Sequence, residues 1–155
     1  MKNFNIDKDE DGILVVTFDM PGRSMNVLNV SSMNEIAEFT EMIKSDDTIK
    51  GAVITSGKKA FCAGADLEEM GGNLSIAHGS MKKDPEAAKE KLFTNVFKLN
   101  MLFRNLETCG KPVAAALDGL ALGGGFEFVM ACTGRFVSSD NKTAKVGLPE
   151  ALIGL

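Results

Sequence analysis

The chain has no tryptophan and no tyrosine, one histidine and three cysteines among its 155 residues. With His78 alone, a histidine-built metal centre or a Ser-His-Asp triad lacks parts. A Cys62–His78 nucleophile pair is the arrangement of that kind the composition permits, but His78 lies in a polar stretch without an evident orienting partner. Cys62, Cys109 and Cys132 show no metal-ligand spacing, and their odd number suits a reducing compartment better than a disulfide framework. No apolar run nears the ~20 residues that span a bilayer. Seventeen basic against twenty-one acidic residues give a net charge of −4, and no basic run is interleaved with aromatics, which argues against general nucleic-acid binding. The opening segment MKNFNIDKDEDG carries neither an apolar signal core nor a transit-like composition, so a soluble, cytoplasmic protein is expected. The length suits one domain, residues 1–155, and is too short for two ordinary ones.

What is present reads as alternating strands and helices. Ile13 to Asp19 is rich in β-branched residues, follows the turn signal Asp11-Gly12 and ends at Pro21-Gly22, which predicts a strand. Ser32 and Glu35 have capping-box spacing, and Met33, Ile36, Ala37, Thr40 and Ile43 recur with a helical period that should stop near Asp46. A second strand is expected over Gly51–Thr55, parallel to the first through a right-handed crossover. The loop from Ser56 to Gly72 follows the carboxyl end of that strand, where ligand sites of open α/β folds gather, and DLEEM within it suggests a short helix. Asn73 to Asp84 reads as a polar, mobile connection. Asp84-Pro85 then opens a long helix whose Ala88, Leu92, Val96, Leu99, Phe103 and Leu106 should face the core and which Gly110 should stop. Arg135 to Ser139 reads as a further short strand.

The stretch from Lys111 to Gly134 organises the rest. Between Pro112 and Gly134 the charged residues are Asp118 and Glu127 alone, in a chain that is 25% charged. Val113–Leu117 is an apolar run of buried-strand type, and Gly123, Gly124 and Gly125 lead into FEFVMAC, apolar on every helical face. A helix of that composition should be buried, which would raise the pKa of its lone carboxylate, Glu127, toward the range useful for proton transfer. Glycines at a helix start leave free N–H groups open to a negatively charged atom, the requirement of an oxyanion hole. A phosphate cradle fits less well: no Gly-Lys-Ser/Thr follows, and the third glycine of a dinucleotide fingerprint would fall on Phe128. Tight strand–helix packing remains the plain alternative. The final segment VGLPEALIGL holds another isolated acid, Glu150, set by Pro149 at or near a helix start; it is either a general acid/base partner for Glu127 or an ordinary first-turn glutamate.

The segments PGRSMNVLN (21–29), KAFCAGADLEEM (59–70), DGLALGGGFE (118–127) and GLPEALIGL (147–155) together resemble the enoyl-CoA hydratase, or crotonase, family. The resemblance implies an α/β fold of repeated ββα units and an acyl-CoA thioester as substrate, with coenzyme A part of that substrate and no separate cofactor or metal. It implies an oxyanion hole from the backbone N–H groups of Ala65 and Gly124, with Gly123 beside them. Glu127 matches the glutamate that activates water, and Glu150, after Pro149, the one that exchanges a proton at the α-carbon. Ser24, Met25, Ala63, Asp66 and Leu67 match positions that hold the coenzyme, and Arg23 is a candidate phosphate contact. Both glutamates together imply hydration of trans-2-enoyl-CoA in fatty-acid β-oxidation; an isomerase or another acyl-CoA enzyme of the same fold, or a non-catalytic acyl-CoA-binding or assembly fragment, are the alternatives. The RSMN form of the first segment is similar to the N-terminal hydratase module of multifunctional fatty-acid oxidation subunits. Relatives continue past the position of Leu155 into further helices and assemble as trimers or hexamers, so a chain truncated before those helices is expected. Asp140-Asn141-Lys142 lengthens the link between the two glutamates and reads as a turn extension.

Overall fold

The computed structural model describes residues 1–153, without the side chains of residues 73–78 and 153. His78, and with it the Cys62–His78 pair, therefore lies outside the described side chains.

The chain opens with a hairpin. β1 (Phe4–Lys8) and β2 (Ile13–Phe18) pair antiparallel around a turn in which the Asp9 carboxylate accepts from the N–H groups of Asp11 and Ile13, and Gly12 takes a φ of 84°. β1 is absent from the sequence reading; its signal is the short alternation Phe4, Ile6, which a five-residue edge strand hardly exceeds. Phe4 stacks on Phe18 with ring centroids 4.2 Å apart, so the hairpin closes one end of the core.

α1 (Val30–Ser45) starts earlier than the Ser32–Glu35 spacing suggests. Asn29 is its cap: the Asn29 side chain accepts from Ser32 N–H, and the Ser32 hydroxyl accepts from Asn29 N–H. Glu35 is buried instead of capping, and accepts from the backbone of Asn3 and Phe4 and from the Asn3 amide at 2.9, 3.2 and 2.7 Å, fastening the amino-terminal strand to α1. β3 (Gly51–Ser56) runs parallel to β2, as expected from the strand-helix-strand order, then pairs with β4 (Val113–Leu117), which pairs with β6 (Gly134–Val137). The main sheet thus has the order β1-β2-β3-β4-β6, with its inward residues Val16, Phe18, Ile54, Ala115 and Leu117 packed on Ile36, Phe39 and Ile43 of α1.

A second, thinner row of parallel pairings lies beside this sheet. Leu28 bridges Ala65, Cys62 bridges Ala121, and β5 (Ala121–Leu122) pairs with β7 (Val146–Gly147). Each turn of chain therefore contributes a long strand to the main sheet, a short segment to the second row and then a helix, the ββα repeat of a crotonase-like α/β fold. Two-residue strands carry no periodicity, which is why β5 and β7 are invisible in the sequence. The Asp140–Lys142 extension is a turn: the Asn141 amide donates to Asp118 O at 2.8 Å while its oxygen accepts from Thr143.

The helices between β3 and β4 differ from expectation. α2 (Leu67–Lys83) runs through the stretch read as a polar mobile connection, started by an Asp66 side chain that accepts from Glu68 and Glu69 N–H. α3 (Pro85–Glu107) starts as expected, with Asp84 accepting from Ala87 N–H and Pro85 in the first turn. Its apolar stripe is not core throughout. Ala88 and Leu106 are buried and Phe103 stacks on Phe128, whereas Leu92 and Val96 are exposed, beside an exposed Phe93–Phe97 stack. The helix is buried toward its two ends and its middle turns are left uncovered.

Candidate active site

α4 (Gly124–Met130) begins at Gly123, whose φ of 53° is costly for any residue with a Cβ. Gly123 is pinned: its N–H donates to Gly147 O at 2.9 Å, and its carbonyl accepts from Phe126 and Glu127 N–H. No side chain caps this helix, and among the described residues the N–H of Gly124 has no hydrogen-bond partner.

A second free amide faces the same place. Leu28 N–H donates to Gly64 O and Asp66 N–H donates to Leu28 O, both at 2.8 Å, so the flanking peptides are tied to Leu28 and the N–H of Ala65 between them is directed away from it. It too has no partner among the described residues. A Cβ on Gly64 would stand 3.7 Å from Gly124 N, and one on Gly124 would stand 3.9 Å from Ala65 N. The two amides are therefore neighbours across a gap that glycine leaves open. Gly125 has the packing role that was the plain alternative for the triplet: a Cβ there would lie 2.7 Å from Cys62 O and 2.8 Å from Cys62 Sγ.

Both isolated carboxylates reach this spot. Glu150 opens a short 3-10 helix (Glu150–Ile153), and its Oε1 lies 2.6 Å from where a Cβ on Gly123 would be; Glu127 Oε2 lies 3.6 Å from the corresponding point on Gly124. Residues 127 and 150 thus stand against two consecutive glycines and beside two N–H groups without partners among the described residues. Pro149 is half-buried and turns the chain from β7 into the 3-10 helix.

The environment of Glu127 differs from the sequence reading. α4 is seven residues long and buries Gly125, Phe128 and Val129 on one side, which leaves Glu127 and Met130 exposed on the other. The burial expected of Glu127 is therefore missing. Glu127 instead stands at one edge of an open groove of about 470 Å³ between α3 and α4, lined by Asn100, Met101, Phe103, Arg104 and Met130 among others.

Of the residues matched to coenzyme binding, three share a surface feature. Arg23, Ser24, Met25, Val27 and Glu68 line a shallow depression of about 380 Å³. Ser24, Met25, Ala65 and Leu67 are exposed and Ala63 half-buried, whereas Asp66 is buried, 6% exposed. Arg23 is not a free cation: its Nη2 lies 2.7 Å from Asp66 Oδ2. The cysteine reading resolves as structural. Cys62 is fully buried, and burial pushes its thiol up to about 11, far from the range of a nucleophile.

Sequence reasoning gave Asn26 no role, yet it braces the site. Fully buried, its side chain accepts from Met20 N–H at 3.0 Å and donates to Phe18 O, Phe61 O and Ser56 Oγ, while its backbone carbonyl accepts from Ala63 N–H. One side chain thus joins β2, the end of β3 and the loop that carries Ala65. The available signal was a single amide residue between the apolar Met25 and Val27-Leu28, in a segment otherwise read as a turn.

Comparison with known proteins gives the family of the chain. The family model described as enoyl-CoA hydratase/isomerase matches residues 8–155. The fatty acid oxidation complex subunit alpha of Shewanella oneidensis is 38% identical over 155 residues, which are 99% of this chain and 20% of that protein. Its counterpart from Pseudomonas syringae pv. tomato is 37% identical over 146 residues, 94% of this chain and 18% of that protein. The chain therefore spans about a fifth of the length of these curated relatives. Among solved structures, an enoyl-CoA hydratase from Bacillus anthracis superposes with a TM-score of 0.78 at 25% identity, covering 99% of this chain and 53% of that one. An enoyl-CoA hydratase/carnithine racemase from Magnetospirillum magneticum gives 0.77 at 27% identity, covering 100% and 52%. Matched along nearly its whole length, with the ββα repeat and the glycine-flanked amides in place, the chain belongs to the enoyl-CoA hydratase/isomerase family.

Proposed function

We propose that this chain is the hydratase portion of a fatty-acid oxidation protein, adding water reversibly across the double bond of a trans-2-enoyl-CoA to give a 3-hydroxyacyl-CoA. The thioester oxygen sits between the N–H groups of Ala65 and Gly124, which hold the negative charge that develops as the β-carbon is attacked; one such donor can be worth about 3 kcal/mol. Glu127 orients water and takes its proton as the oxygen bonds to the β-carbon, and Glu150 delivers a proton to the α-carbon. In the reverse direction the roles exchange. Ser24, Met25, Ala63, Asp66 and Leu67 border the path of the coenzyme, which enters as part of the substrate, and no separate cofactor is invoked.

The observation that supports this reading most is that two carboxylates remote in sequence stand against Gly123 and Gly124, beside two amides without partners among the described residues. The test is loss of the conjugated absorbance of an enoyl-CoA on mixing with the protein. Migration of the double bond without hydration would point to an isomerase instead. A second reading, binding of an acyl thioester without turnover, is favoured by one feature: Glu127 borders an open groove rather than a dry cavity. Tight binding of a saturated acyl-CoA with no hydration would establish it.

Assembly into trimers and a cytoplasmic location belong to the same proposal. The first is supported by exposed Leu92, Phe93, Val96 and Phe97 on α3 and exposed Phe136 on the edge strand β6, and is tested by light scattering. For the second, no helix among the described residues is long and apolar enough to cross a membrane, and the cysteines are free.

A further inference from the structure

Arg23 and Asp66 form a unit to which the hydratase reading gives no part in the chemical step. The Asp66 side chain is 5% exposed, and its two oxygens are divided: Oδ2 lies 2.7 Å from the Arg23 guanidinium, and Oδ1 accepts from Glu68 and Glu69 N–H at 3.2 and 3.4 Å. The backbone of the same residue donates to Leu28 O, next to the peptide that carries the Ala65 N–H. Asp66 thus joins the turn at 21–25, the start of α2 and the loop holding one of the two free amides.

We infer that Arg23 and Asp66 are positioning residues for the oxyanion site, and that Arg23 serves the reaction through Asp66 and not by gripping a phosphate of the coenzyme. The inference rests on the proposed thioester chemistry. Two effects act in the same direction. Without the guanidinium, Asp66 keeps, among the described residues, two long N–H contacts in a nearly dry site, so the carboxylate relaxes toward water and takes the Ala65–Asp66 peptide with it. An uncompensated carboxylate one residue from the Ala65 amide also opposes the negative charge that the amide is there to receive. Arg23 removes both penalties from a partly exposed position, with one face still in solvent.

The experiment compares wild type, Arg23→Gln, Arg23→Lys and Asp66→Asn on an enoyl-CoA and on the corresponding enoyl-pantetheine, which lacks the phosphorylated nucleotide. Positioning predicts that Arg23→Gln lowers kcat about tenfold to a hundredfold on both thioesters with little change in KM, and that Lys restores part of the loss. A loss confined to the coenzyme A substrate and expressed in KM would overturn the inference and make Arg23 a phosphate contact. A second measurement does not depend on turnover: a dimethylaminocinnamoyl thioester absorbs at longer wavelength when its carbonyl is polarised. The shift on binding should be smaller in Arg23→Gln and Asp66→Asn than in wild type. An equal shift in all proteins overturns the inference alone; a full wild-type shift without hydration overturns the hydratase reading alone; no shift in wild type overturns both.

Discussion

Glu150 packs against Gly123 so closely that a methyl group at position 123 would sit 2.6 Å from Oε1 and 3.5 Å from Cδ. The carboxylate is the free end of a side chain, so Gly123→Ala would displace Glu150 before it displaces backbone. The φ of 53° adds a local cost of about 1–2 kcal/mol for a residue with a Cβ. Gly123→Ala should therefore lose a few degrees of thermal midpoint but about tenfold or more of kcat, because the acid is moved away from its working position. Steady-state kinetics beside a melting curve separates the two effects; an unchanged kcat would mean that the contact between residues 123 and 150 has no part in the reaction.

Asn26 predicts a stability effect remote from any chemistry. Asn26→Ala leaves Met20 N–H and Phe61 O without partners inside the core and takes from Phe18 O one of its two donors. A loss of about 3 kcal/mol is expected, seen as a lower urea midpoint with an unchanged slope. Asn26→Asp should be at least as harmful, since it replaces a donating amide that serves three oxygens with a group that can only accept. A midpoint within error of wild type would contradict the bracing role.

The buried thiol gives a pH dependence with a definite sign. Cys62 titrates at about 11 when folded against an ordinary 9.0, because burial disfavours the thiolate. Below pH 9 the thiol is protonated in both states and its burial contributes fully. Between 9 and 11 the unfolded chain ionises first, so stability is lost as pH rises through that window. Cys62→Ala should flatten the alkaline fall in unfolding free energy, although Cys132, pushed up to about 12 chiefly by burial, keeps part of it. Thiol-specific reagents should also label Cys62 slowly in the folded protein; rapid labelling at neutral pH would contradict its burial.

The parts of this architecture legible in the sequence were those set by local chemistry. Val113–Leu117 and Gly51–Ser56 are apolar, β-branched or small, and bounded by turn signals; Asp84-Pro85 carries its own cap. The segments quoted for the family resemblance supplied residues 65, 124, 127 and 150, and the structure brings them together. What was not legible depends on tertiary partners. Asn29 displaced Ser32 as the cap of α1 because Glu35 is taken up by Asn3 and Phe4, a partnership formed across thirty residues that no local spacing announces. Glu127 was expected in the core because every neighbour in its segment is apolar, yet a two-turn helix has only one side to bury. Leu92 and Val96 have helical periodicity but are exposed, and periodicity does not say what covers a face.

The most direct test is hydration of a conjugated enoyl-CoA by wild type, Glu127→Gln and Glu150→Gln, with thioester binding measured in parallel. Turnover by the wild type should fall about a hundredfold to ten-thousandfold in each variant, while both still bind the thioester. Undiminished turnover in either variant would contradict the pairing of these carboxylates at Gly123–Gly124 as the centre of the chemistry.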